Sequence, residues 1–139
     1  MKFLGAAIIL LALVVGILPQ FLDCQSQGRA ITLATGMTVP MKCHWTAISE
    51  IAMAFPLAAV GGLSITSKRK ETYRAVFILG ILLGVLVTLL PTGLIGVCAN
   101  PDMLCNMVMK PALILSGMLI VAASIVGWVI AERKMDSVA

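Results

Sequence analysis

Residues 75–97 read AVFILGILLGVLVTLLPTGLIGV, 23 positions without a charged side chain. At ~1.5 Å per residue such a helix reaches ~34 Å, enough to cross a hydrocarbon core of ~30 Å. Three more apolar runs stand beside it, at about 3–22, 47–66 and 108–131. The sequence therefore predicts an all-α membrane protein, a bundle of four transmembrane helices forming a single domain over 1–139, with membrane lipid as its solvent. Hydrophobic residues make up 60% of the chain and charged residues 12%, with a mean hydropathy of +1.08. A water-soluble domain cannot hide that much apolar surface. The first run, behind Lys2, has the look of a secretory signal. No small-x-small cleavage site follows it, and Pro19, Gln20 and Phe21 fit one poorly, so it is expected to be retained.

The net charge of +4 would suit nucleic acid, but no basic face, aromatic platform or nucleic-acid motif accompanies it. Its distribution reads as topology. Lys2, Lys68, Arg69, Lys70, Arg74, Arg133 and Lys134 lie at the chain ends or in the middle, and only Arg29, Lys42 and Lys110 lie elsewhere. By the positive-inside rule both termini and the 67–74 loop are cytoplasmic, and the segments 23–46 and 98–107 face outward. The middle loop, SKRKETYR, carries no chemistry of its own and suits anionic lipid headgroups. Within the spans, Pro56 should kink the second helix, and Pro111 falls in the first turn of the fourth, where its missing N–H does no harm. Gly80 and Gly84, at GxxxG spacing, are the candidates for close helix packing.

All four cysteines fall in the two outward segments. Thiols outside the cytoplasm tend to oxidise, so the expectation is a structural disulfide in each loop, Cys24 with Cys43 and Cys98 with Cys105, with a pairing between the loops left open among the three connectivities. Asn100-Pro101-Asp102 is a turn sequence that favours the second pairing. Two sharper readings share these residues. Paired outer cysteines on four helices resemble the layout of quinone-linked thiol oxidases of the DsbB class, although eighteen residues stand between Cys24 and Cys43 where those enzymes have a CxxC. Soft ligands also crowd the same ends, Met37, Met41, Cys43 and His44 before the second helix and Met103, Cys105, Met107 and Met109 before the fourth, a set suited to Cu(I). The primary expectation assigns no metal, no cofactor and no catalytic residue.

Met41-Lys42-Cys43-His44-Trp45-Thr46 is the densest cluster of unusual residues. Thr46 is placed to cap the second helix, Trp45 to anchor at the interface, and Glu50, a turn further on, to enter the bilayer with Lys42, His44 or Lys110 as its ionic partner. Met41, Cys43, His44, Trp45 and Glu50 thus form the candidate functional cluster. The halves of the chain also echo each other. Leu18-Pro19 and Leu90-Pro91, 72 positions apart, each precede a cysteine (Cys24, Cys98), and a second cysteine (Cys43, Cys105) opens the next helix. Duplication and chance both produce such a pattern.

The four cysteines and the MKCHWT run with its following Glu resemble a bacterial and archaeal family of small four-helix membrane proteins described only as a domain of unknown function. Members tend to accompany ABC transporters of the macrolide-exporter or lipoprotein-mover type. The resemblance implies a prokaryotic cytoplasmic (inner) membrane and an ABC transporter permease as partner. No P-loop, nucleophile elbow or ionisable path for a pump is present. The function expected is therefore that of a non-enzymatic membrane subunit supporting a larger complex.

Overall fold

The computed structural model describes residues 2–136, the side chains of 134–136 excepted, so that of Lys134, one of the clustered cations, lies outside the described residues. Four helices long and apolar enough to cross a membrane make the chain an integral, multi-pass membrane protein. Helix α1 spans Lys2–Leu22, α2 Lys42–Thr66, α3 Lys70–Leu89 and α4 Lys110–Asp136. A two-stranded ribbon, β1 Ile31–Thr32 against β2 Thr38–Val39, folds the long segment between α1 and α2 back on itself. Gly36, at φ +82°, makes the turn that side chains with a Cβ resist.

Helices α2 and α3 each start about five residues earlier than hydropathy indicates. Lys42, Cys43, His44 and Trp45 belong to the first turns of α2, and Lys70, Glu71, Tyr73 and Arg74 to α3, leaving Ser67–Arg69 as the connection. Polar side chains at a membrane boundary can still be helical, because their charged ends reach water from an apolar stem. Two turns have π geometry, Leu90–Leu94 after α3 and Cys105–Met109 before α4. Each lies beside a proline, Pro91 or Pro111, which has no N–H for the regular ladder. Gly96, at φ +80°, then closes α3 by donating its N–H to the Leu90 carbonyl at 3.0 Å.

The bundle is built from two hairpins, α1 with α2 and α3 with α4, packed more closely within than between. Each hairpin has a point where backbone meets backbone. A Cβ on Gly61 would stand 2.9 Å from the Gly5 carbonyl, and one on Gly84 would stand 3.1 Å from the Gly117 carbonyl. Gly80 lies a turn away on the same contact, against Ser124 of α4. Ile8, Val15, Leu57, Val60, Phe77, Val87, Leu113 and Ile120 fill the interior, while Leu10, Leu13, Phe55, Leu82, Leu115 and Leu119 stand exposed as a surface facing lipid would. At the end rich in Lys and Arg, Arg74 pairs with Glu132 across α3 and α4, 2.5 Å apart and largely exposed. The opposite end carries the cysteines.

Candidate metal centre

The chain leaves α1 in a tight turn that faces Cys24 inward. The Asp23 carboxylate accepts the Ser26 N–H at 2.8 Å, and the Cys24 carbonyl accepts the Arg29 N–H at 2.9 Å. Across from it, Cys43 sits in the first turn of α2 and is fully buried. Asp23 and His44 fasten this junction from the side through a 2.8 Å bond between Oδ2 and Nδ1. Burial works against the Asp23 carboxylate, but the His44 ring and the Ser26 donors outweigh it and hold its pKa below the ordinary value.

The second hairpin closes onto the same point. Thr46, instead of capping α2, lies buried within it and donates its hydroxyl to the Gly96 carbonyl at 2.7 Å, which sets the approach of Cys98. Asn100-Pro101-Asp102 turns the chain, the Asn100 side chain accepting the Asp102 N–H at 3.1 Å, and Cys105 enters buried at the start of the π turn.

All four sulfurs consequently meet, every pair within 4.8 Å. Cys24 Sγ lies 3.1 Å from Cys105 Sγ and 3.5 Å from Cys98 Sγ, and Cys98 Sγ lies 3.5 Å from Cys43 Sγ. The Cys24 N–H points at Cys43 Sγ from 3.4 Å. The sequence predicts two separate loop disulfides, whereas all four thiols are free and share one cluster. The reason is topological: Cys43 lies in the first turn of α2 and Cys105 opens the helical turn before α4, so neither belongs to a loop, and all four sulfurs meet at one end of the bundle.

In a tetrahedral thiolate site with ~2.3 Å bonds the sulfurs stand ~3.8 Å apart. The separations here, 3.1–3.5 Å for three pairs and within 4.8 Å for the rest, bracket that spacing, so changes of up to about 1 Å would let the cluster enclose one ion. Two thioethers adjoin it, Met41 Sδ 3.8 Å from Cys98 Sγ and Met103 Sδ 3.9 Å from Cys24 Sγ. Burial raises the pKa of the Cys98 thiol, but the hydrogen bonds it shares with Cys43, Cys24 and Cys105 outweigh it and bring the value below the ordinary one. At Cys24 burial and the neighbouring thiols both act upward. Cys98 is also the most exposed member of the cluster.

Of the other sequence candidates, Trp45 is half exposed with its ring edge-on to His44, and Gly80 and Gly84 lie in the α3–α4 contact away from the sulfurs. Glu50 is fully buried on the Cys43 side of α2, and neither of its oxygens has a hydrogen-bond partner among the described residues. The expected ion pair with Lys42, His44 or Lys110 is not formed, since His44 is engaged by Asp23. Asp23 is the residue that sequence reasoning passed over, and an acid directly before an outward cysteine was its only signal. No curated protein and no solved structure matches the chain. A family model does match residues 3–130, that of the domain of unknown function DUF4418, and the chain belongs to that family.

Proposed function

We propose that this protein is a non-enzymatic membrane protein that holds a soft, thiophilic metal ion where its two hairpins meet. The observation that carries the reading is the convergence of four cysteine sulfurs, every pair within 4.8 Å, from four separate places in the chain. Thiolate donors select Cu(I) and Zn(II) over hard cations. Lys and Arg cluster at the other end of the bundle, which supports an orientation with that end in the prokaryotic cytoplasm and the sulfurs at the outer face of the inner membrane. The partner we propose is an ABC transporter permease, the company kept by the family this chain resembles. Protein purified anaerobically under reducing conditions should carry close to one equivalent of thiophilic metal or more, lost in Cys43→Ser. Protein that stays metal-free when offered Cu(I) and Zn(II) contradicts the reading.

The 3.1 Å approach of Cys24 and Cys105 favours a second reading, thiol–disulfide exchange. Two thiols becoming one disulfide release two electrons and two protons, which a membrane quinone accepts on reduction to the quinol. Quinone reduction by the reduced, metal-free protein is the measurement that would move the assignment to this class.

A further inference from the structure

Resting on the metal reading above, we propose that the cluster is built for two Cu(I) ions, each held by two cysteines and one methionine drawn from both hairpins. The six sulfurs divide into two sets of the same construction. Cys98 Sγ lies 3.5 Å from Cys43 Sγ and 3.8 Å from Met41 Sδ, and Cys24 Sγ lies 3.1 Å from Cys105 Sγ and 3.9 Å from Met103 Sδ. Each set takes a Met-x-Cys step from the start of one hairpin's second helix, Met41-Lys42-Cys43 or Met103-Leu104-Cys105. It completes that step with the cysteine that follows the first helix of the other hairpin. The exchange relates Cys24 to Cys98, Met41 to Met103 and Cys43 to Cys105. The two sets touch at the 3.5 Å contact between Cys24 and Cys98.

Ligand softness selects the metal. Zinc is satisfied by four thiolates in a tetrahedron and leaves the two thioethers without a purpose. Cu(I) accepts thiolate and thioether together, and three sulfurs suffice for it. Of the methionines near the cysteine end, Met37 and Met107 are exposed and Met109 is fully buried, whereas Met41 and Met103 pack against the core with their sulfurs 3.8 Å and 3.9 Å from a cysteine. Copper entry replaces thiol protons, so loading releases acid.

The test is a Cu(I) titration of the full chain, reduced and anaerobic in lipid nanodiscs, against a chromogenic Cu(I) chelator, with a parallel Zn(II) titration. The expected result is two Cu(I) and one Zn(II) per chain. Met41→Leu and Met103→Leu conserve side-chain volume, so the fold survives. Outer-shell partners of a metal already carry ~10-fold in affinity, so loss of a direct ligand should weaken one Cu(I) equivalent by at least about tenfold and leave Zn(II) unchanged. A single Cu(I) bound with equal affinity by parent and both variants overturns the two-ion site while sparing the four-cysteine site. No binding of either metal overturns both.

Discussion

Cys24, which follows the first helix, and Cys105, which opens the fourth, bring their sulfurs to 3.1 Å although 81 positions separate them. That approach joins the two hairpins at one end of the bundle. Mild oxidation of the metal-free protein with a diazo oxidant, which takes up the two electrons and two protons, should therefore create a bond between hairpins. Peptide mapping without reductant is expected to find Cys24 linked to Cys105 before any bond within a loop. Exclusive formation of Cys24–Cys43 and Cys98–Cys105 would restore the loop-staple picture.

Gly84 and Gly117 face each other so closely that a Cβ on Gly117 would stand 2.8 Å from the Gly84 carbonyl, and one on Gly84 would stand 2.8 Å from the Val121 side chain and 3.1 Å from the Gly117 carbonyl. Gly84→Leu should cost about 1–3 kcal/mol through overpacking, read as a lower melting temperature in detergent. Gly62, where an added Cβ meets nothing within 4 Å, is the control, and Gly62→Ala should melt close to the parent. Equal melting of Gly84→Leu and parent would mean that α3 and α4 pack elsewhere.

The helices were legible because twenty-odd apolar residues in a row have one stable solution in lipid. Their starts were not, since the first turns of α2 and α3 carry Lys, His, Glu and Arg, which hydropathy assigns to loops although membrane interfaces accept them in helices. The cysteines were legible as a set and illegible as a cluster. Spacing along the chain suggests partners within each loop, whereas the Thr46 bond to Gly96, a contact between positions 50 apart, and the inward turn after Leu22, held by Asp23 and Ser26, decide the meeting point. Of the partners expected for Glu50, namely Lys42, His44 or Lys110, His44 is taken by Asp23, which is again a contact that spacing along the chain does not show.

Asp23, bonded to His44, gives the cysteine end a pH dependence whose sign follows from the carboxylate. Asp23 has a lowered pKa in the folded protein, so its contribution is complete above the ordinary carboxylate range and fades as the pH falls through that range to the lower folded value. Asp23→Asn should lose on the order of 1 kcal/mol at neutral pH and flatten the acid limb of a melting-temperature profile. A variant whose profile overlays the parent from neutral to acid would show that the bond contributes nothing.

Glu50 presents two buried oxygens without partners among the described residues, an arrangement that costs stability. Glu50→Leu, which removes the unsatisfied group and keeps the apolar contacts, is expected to stabilise the bundle by about 1–3 kcal/mol. Melting of the purified variant in detergent checks this, and a lower melting temperature would reveal a partner that the carboxyl needs.

The state of the four thiols in living cells tests the metal-centre account most directly. Cells are quenched with one alkylating reagent, and the isolated protein is then treated with a Cu(I) chelator and a second reagent that differs in mass. The account predicts Cys24, Cys43 and Cys105 shielded from the first reagent and labelled by the second after chelation alone, without reductant. Thiols that accept the second label only after reduction would be disulfides in the cell, and that result would contradict a metal-holding cluster.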